Sequence, residues 1–431
     1  MTCKCLERLI VKHLTAYLED SSILTDHQFG FRAGRSTMDQ LLLVYNEVSQ
    51  YVDNGSVVDL VMFDFAKAFD VVSHHILLTK LRLLGIQVSL LRWIEDFLVD
   101  RMMTVQVKGK LSSPHRVTSG VPQGSVLGPI LFLIFVNHVA SNLSCHYKIF
   151  ADDLKMYMKI RHDPQASYVL DSQACQRDID MLQNTAESWC LSLNVKKCVV
   201  LRFHRKLHTL PPPSYHISNA QIQVVHSHTD LGVLIDSDLK FHNHIAATVA
   251  KAAGLTQNLL KSTVCRSPDF MLTLFNTHVR PLIEYCSCVW HTGYVGDLRL
   301  LESVQRRWTK RVQGLGDLDY TSRLKVLNQF STKGRLLRAD MIQCWKLFHG
   351  KSPVKPSDIF ELSSSASGTR GHRFKLPHVR PQTDVRGRSF CVRCVAPWNS
   401  LPDQVVAEPN LARFKSMLAA TLGDVLFSYQ S

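Results

Sequence analysis

Apolar residues recur at helical spacing between Cys5 and Leu18, and again through Leu41, Val44 and Val48. Ser36 or Thr37 is placed to cap the second helix. Between the two lies a polar, glycine-bearing turn, Gln28-Phe29-Gly30-Phe31-Arg32-Ala33-Gly34-Arg35. Residues 57–65 form an almost continuous β-branched and aromatic run, the pattern of a strand buried on both faces. A helical stretch is predicted over 76–98, a short strand over 104–107, and a Gly/Pro/Gln loop over 117–129 that leads into a very apolar helix through Val136. Residues 147–158 read as two short strands meeting at Asp152-Asp153. A helix over 178–193, a strand over 199–203 and another over 231–235 follow. A long helix begins near His242, and helical periodicity then dominates to about Leu347. The Ser/Gly-rich residues 363–371 read as a linker, and no internal repeat is visible.

Composition narrows the class. The chain has 431 residues, 45% of them hydrophobic and 20% charged, which is enough to bury a sizeable core and excludes wholesale disorder. No apolar run approaches the roughly 18 residues of a spanning helix, and the first residues lack a signal peptide's apolar stretch. The twelve scattered cysteines fit reduced thiols, so a nuclear or cytoplasmic location is expected. Net charge is +14, and it is unevenly placed. Residues 1–250 carry 24 Lys and Arg against 23 Asp and Glu, whereas residues 251–431 carry 26 against 13. A basic region beside a neutral, carboxylate-bearing half suggests a polyanion partner, most simply nucleic acid. The alternative is a solubility charge without a target.

Three carboxylates stand out by their setting. Asp64 ends the apolar run Leu60-Val61-Met62-Phe63, and Asp152-Asp153 sit at the expected hairpin tip. Grouped carboxylates in apolar surroundings repel one another and resist desolvation, and a divalent cation compensates both effects. Two cations held by carboxylates of neighbouring strands perform phosphoryl transfer. Taken alone, an Asp-Asp pair is more often a solvated turn.

Further blocks change that balance. Asp26-His27-Gln28-Phe29-Gly30-Phe31-Arg32 is followed by Phe63-Asp64-Phe65-Ala66-Lys67-Ala68-Phe69-Asp70, then by Ser119-Gly120-Val121-Pro122-Gln123-Gly124. Phe150-Ala151-Asp152-Asp153, Leu193-Asn194-Val195-Lys196-Lys197 and Leu231-Gly232-Val233 come next. In this order they resemble the reverse transcriptase of non-LTR (LINE-type) retrotransposons, of the jockey and chicken-repeat lineages. Leu282-Ile283-Glu284-Tyr285, Glu302-Ser303-Val304-Gln305-Arg306-Arg307 and Trp398-Asn399-Ser400-Leu401-Pro402 look like the helical region that follows the polymerase in those elements.

The resemblance implies an α+β right-hand polymerase: partial fingers over 1–37, a palm over 38–240 with a small antiparallel sheet backed by helices, a basic thumb-like helical region over 241–362, and a C-terminal region after the linker. It implies that Asp64, Asp152, Asp153 and the Phe65 carbonyl face two Mg2+ or Mn2+ ions, and that Lys197 lies near the leaving pyrophosphate. Phe69 would be a steric gate against a 2′-hydroxyl, while Gln123 and Gly124 would contact the template and the incoming nucleotide. Arg32 and Arg35 are expected to contact nucleic acid. So are Arg306, Arg307, Lys310 and Arg311, which share a helix with the apolar stripe Leu301, Val304, Trp308 and Val312. Expected partners are an RNA template, a DNA primer and deoxynucleoside triphosphates, with no membrane.

Cys391-x-x-Cys394 lacks a second pair, so zinc is not expected, and the His226/His228 and His242/His244 pairs read as solvated. In the resembling family a further fingers segment precedes Cys5-Leu6-Glu7-Arg8, and an acid commonly stands where this chain has His138. These departures favour a truncated copy and keep a second reading open, a catalytically inactive nucleic-acid-binding relative.

Overall fold

The computed structural model describes residues 2–161, 166–205, 211, 213–362 and 372–428, so the expected 363–371 linker lies outside them. Contacts divide the chain into two units. One comprises Met1–Arg35, Val57–Arg202 and His208–Val225; the other comprises Ser36–Ser56, Phe203–Leu207 and His226–Ser431.

In chain order, α1 (Thr2–Asp20) belongs to the first unit and α2 (Thr37–Asp53) to the second. The first unit continues with β1 (Val57–Phe63), all seven residues of which are buried, as its unbroken apolar pattern demands. The expected helix over 76–98 is two helices, α3 (His74–Leu83) and α4 (Val88–Leu98), because Gly85 turns at φ +73° between them. Residues 102–116 form exposed two-stranded ribbons. Helix α5 (Gly128–Val136) is apolar on every side and buried throughout from Ile130 to Val136, so it is a core element rather than an amphipathic one. Glu7 of α1 accepts hydrogen bonds from Val126 N (2.6 Å) and Leu127 N (3.0 Å) just ahead of α5.

β2 (His146–Phe150) and β3 (Asp153–Ile160) make an antiparallel hairpin, followed by α6 (Ala166–Ser188), β4 (Val199–Phe203) and β5 (Gln223–Val225). The five strands lie in the order β5-β4-β1-β3-β2. β1 pairs antiparallel with β3, with Val57 opposite Ile160 and Phe63 opposite Leu154. That register brings the end of β1 level with the hairpin turn. The fold is the expected α+β palm, mostly antiparallel, with β5 running parallel to β4.

The second unit gathers α2 with the C-terminal helices, although the sequence placed residues 38–240 together. The reason is polar. Asp39 accepts from Gln343 Nε2 (3.1 Å) and Ser352 Oγ (2.8 Å). Arg386 donates to Asn46 Oδ1 (2.9 Å) and Ser49 Oγ (2.8 Å), and Asp53 accepts from Thr383 N (2.7 Å). β6 (Ser227–Asp230) and β7 (Val233–Asp236) form a hairpin turning at Leu231 (φ +44°) and Gly232 (φ +82°). α7 (His242–Ser262), α8 (Val295–Thr309) and α9 (Thr332–Phe348) are the long helices that follow. His244 is buried rather than solvated: its Nδ1 accepts the Leu234 N–H (3.2 Å) and its ring lies against Trp290. His242 pairs with Asp297 at 2.7 Å. Among the described residues, no helix is long and apolar enough to cross a membrane.

Candidate active site

Asp64 directly follows β1 and is fixed by its backbone. Its carbonyl accepts the Asn194 N–H (2.7 Å), Ala66 N–H donates to the Ser192 carbonyl (2.8 Å), and Phe65 bridges Leu193 in antiparallel fashion. The same clamp delivers Lys197, whose Nζ lies 3.4 Å from Asp64 Oδ2. Asp152 occupies the β2–β3 turn after Ala151, which adopts φ +58°. Burial pushes the half-buried Asp152 carboxyl up, the negative charge of Asp64 adds to that rise, and Lys197 opposes it. Asp153 opens β3 and is exposed. Among the described residues, no three His, Cys, Asp or Glu side chains are grouped so as to hold a metal ion. The donor set at this corner is therefore the Asp64–Asp152 pair, with burial and the Asp64 charge pushing the Asp152 carboxyl up and the Lys197 ammonium beside Asp64. Such a pair fits a cation.

The hairpin tip is braced from the segment after α1. Phe29 N–H donates to the Ile149 carbonyl (2.8 Å), and Ile149 N–H donates to the His27 carbonyl (2.9 Å). Gln28, fully buried, accepts from both Gly30 N (2.8 Å) and Ala151 N (3.0 Å). Gly30 must be glycine here, since a Cβ would stand 2.3 Å from Ala151 N. Sequence reasoning singled out this block without finding the role of Gln28; the signal was a glutamine held between aromatic residues in a turn. Arg32 completes the brace. Its Nε donates to Glu19 (2.9 Å), Nη2 also binds Glu19, and Nη1 reaches the Thr25 carbonyl (2.7 Å). Arg32 is only 9% exposed, so this guanidinium is closed to the nucleic acid expected of it. Arg35 is tied to Asp26 through both its carbonyl and its carboxylate at 2.7 Å, which holds that carboxyl below the usual range.

Beyond Asp64, the chain turns at Lys67 (φ +50°) and presents Phe69 stacked on buried Phe132 at 4.1 Å, with Phe31 edge-on at 6.2 Å. Gln123 Nε2 donates to Asp70 Oδ1 (2.8 Å), and Gly120 lies so close that a Cβ would meet the Asp70 carbonyl at 2.7 Å. The loop bearing exposed Gln123 and Gly124 (φ +82°) is thus docked on the Phe69–Asp70 turn. A second anchor went unnoticed in the sequence. Asp59, an acid inside the buried β1, accepts from Arg202 Nε (2.6 Å), Arg202 Nη2 (2.7 Å) and the Tyr215 hydroxyl (2.7 Å). It ties β1 to β4.

In the second unit, Leu301, Val304, Trp308 and Val312 are buried, while Arg306, Arg307, Lys310 and Arg311 are exposed. Helix α8 ends at Thr309, with Lys310 as its C-cap, so Arg311 lies beyond the helix.

Residues 1–269 match the model of a family described as reverse transcriptase (RNA-dependent DNA polymerase). The chain is 27% identical over 323 residues to a probable RNA-directed DNA polymerase from transposon X-element of Drosophila melanogaster, covering 72% of this chain and 34% of that protein. It is 31% identical over 328 residues to the RNA-directed DNA polymerase from mobile element jockey of the same organism, with the same two coverages. The chain thus spans about a third of the length of these relatives. Among solved structures, apo telomerase from Candida tropicalis aligns with 78% of this chain and 56% of its own, at 11% identity and a TM-score of 0.42. With the family match covering more than half of its residues, the chain belongs to the reverse transcriptase (RNA-dependent DNA polymerase) family.

Proposed function

We propose that the chain is the polymerase portion of a non-LTR retrotransposon protein, adding deoxynucleotides to a DNA primer 3′-hydroxyl on an RNA template. The observation that carries this reading is the corner where Asp64, at the end of a buried strand, meets Asp152 at a braced hairpin tip, with Lys197 beside them. Asp64 and Asp152, with the Phe65 carbonyl and Asp153 as further oxygens, would hold two Mg2+ or Mn2+ ions, which when bound lower the pKa of the primer hydroxyl and neutralise charge on the transferred phosphoryl group.

The protein's own groups do the rest. Lys197 supplies a proton donor on the side of the departing pyrophosphate. The Phe69 ring, buttressed by Phe132, closes the space a 2′-hydroxyl needs. Gln123 and Gly124, docked through Asp70, offer a loop whose backbone can approach the nascent base pair. Arg306, Arg307, Lys310 and Arg311 supply exposed positive charge for phosphates.

Primer extension on poly(rA)/oligo(dT) with magnesium or manganese tests the reading. The chain should extend the primer, and Asp64→Asn or Asp152→Asn should abolish extension with duplex binding retained. Mutants with undiminished turnover would overturn the assignment of the carboxylates. A wild-type chain that binds duplex but never extends it would leave only the binding reading.

A further inference from the structure

In the first unit, the paired segments of residues 102–116 follow one another along a single β-ribbon. Met102 and Met103 pair antiparallel with Arg116 and His115, and Gln106 and Val107 pair with Leu111 and Lys110. The tip turns at Lys108 (φ +48°) and Gly109 (φ +82°), two left-handed residues whose twist suits a tight hairpin. At roughly 3.3 Å per residue, the arm from Arg101 to Lys108 is about 23 Å long. Every residue from Met102 to Arg116 is exposed. A two-stranded ribbon is marginal in water and gains little from apolar side chains left in solvent. Yet Met103, Val105 and Val107 recur at strand period, so they share one face, and they are 55%, 54% and 63% exposed. The other arm edges that face with polar groups. Lys110 stands opposite Val107, and Ser112 N–H donates to the Val105 carbonyl (2.9 Å).

Charge and position say what covers the row. Lys108 and Lys110 are exposed at the tip, and the sequence holds no Asp or Glu between Asp100 and Asp152. Asp100, at the base, is paired with Arg116. An apolar row edged by lysines, on a ribbon without an acid, complements a polyanion. A second copy of the same ribbon would set lysines against lysines. The base of the ribbon is fixed: Val117 N–H donates to the Arg101 carbonyl (2.9 Å), and Arg101 Nη2 donates to the Gly120 carbonyl (3.0 Å). Gly120 N–H in turn donates to the Val72 carbonyl (2.8 Å), and Val121 N–H to the Phe69 carbonyl (3.0 Å). The ribbon therefore springs from the turn that also carries the Gln123–Gly124 loop.

We propose that this ribbon lies in the minor groove of an RNA–DNA hybrid, with Met103, Val105 and Val107 against sugars and Lys108 and Lys110 on phosphates. The choice of duplex rests on the polymerase function proposed above, of which a hybrid is the product. It has a steric reason too. An A-like helix presents a wide, shallow minor groove, whereas that of B-DNA, about 6 Å wide, is too narrow for two strands side by side. On the DNA strand of a hybrid the sugars carry no 2′-hydroxyl, so methyl and thioether groups pack there without stranding a polar group. A ribbon can also enter the major groove of B-DNA, but reading bases there takes hydrogen-bonding side chains, which Met103, Val105 and Val107 lack.

The test is fluorescence anisotropy of a labelled hybrid, and of a DNA duplex of the same sequence, with the full chain in EDTA so that no extension occurs. Wild type should bind the hybrid more tightly. Met103→Gln/Val105→Thr/Val107→Thr should weaken hybrid binding by about tenfold and erase that preference, with unchanged thermal melting because all three side chains are exposed. Lys108→Ala/Lys110→Ala should weaken hybrid binding and lower its salt slope by up to about two. The proposal is overturned if wild type shows no hybrid preference or if the triple variant keeps it. It is overturned equally if wild type self-associates in sedimentation and the triple variant abolishes only that, which would make a second copy the occupant. Primer extension keeps the two readings apart. A wild-type chain that fails to extend, with a hybrid preference that the triple variant loses, sinks the polymerase function and leaves the ribbon site standing; a chain that extends, with binding untouched by either variant, does the opposite.

Discussion

Asp152 illustrates how a residue proposed for the active site can weaken the fold that carries it. Its carboxyl is pushed up from the usual value of about 3.8, so the folded state holds a proton that the unfolded state releases between that value and its higher folded one. Stability therefore falls as pH rises through this window, and the penalty stays constant above it. Asp152→Asn should raise the melting temperature at pH 7 while abolishing extension, and its advantage should vanish as the pH drops below about 3.8. A thermal melt across that range checks the sign. Phe69 makes the complementary case. It is half-buried on fully buried Phe132, so Phe69→Val should cost up to about 3 kcal/mol and also let ribonucleotides into the product. A soluble Phe69→Val variant with undiminished preference for deoxynucleotides would show that the ring serves only the core.

Between elements, the decisive contacts are polar and few. Gly30→Ala places a methyl group against backbone rather than a yielding side chain, so the β2–β3 tip must move. Extension should fall by about tenfold or more alongside a lower melting temperature, and retention of both would sink the bracing role. In the second unit, burial pushes His244 down to about 4 from an ordinary 6.5. The unfolded chain thus binds a proton that the folded chain refuses between those values, and stability should drain by about 3 kcal/mol as pH falls from 6.5 to 4. His244→Gln, which keeps an acceptor for Leu234 N–H, should flatten that slope in an acid-unfolding series. The strands and their acidic ends were legible in the sequence because unbroken β-branched runs and an Asp-Asp pair are local signals. Gln28 reaching Ala151, or Asp59 reaching Arg202, leaves no periodic trace: each is one polar residue whose partner lies more than a hundred positions away. The break at Gly85 was missed because one glycine in a helical pattern is usually tolerated.

For the molecule as a whole, the path of the chain matters more than its charge. Raised salt should weaken duplex binding, and neutralising Arg306, Arg307, Lys310 and Arg311 should lower the salt slope by up to about one unit for each phosphate no longer bound. Fragment design follows from connectivity. A piece ending at residue 240, the boundary that motifs suggest, keeps α2 but loses Gln343, Ser352, Thr383 and Arg386, leaving Asp39, Asn46, Ser49 and Asp53 without those partners. Limited proteolysis should find α2 protected in the full chain and cut in the fragment; equal protection would show that its polar partners are dispensable. Asn46 and Arg386 stand 340 positions apart, so α2 must wait for some 340 further residues to be synthesised before it makes this contact. Until then α2, whose Leu41, Val44 and Val48 are fully buried in the finished fold, lacks the polar contacts that anchor it there. The nascent chain is therefore obliged to carry an unfinished helix across that interval, and chaperone demand should peak within it.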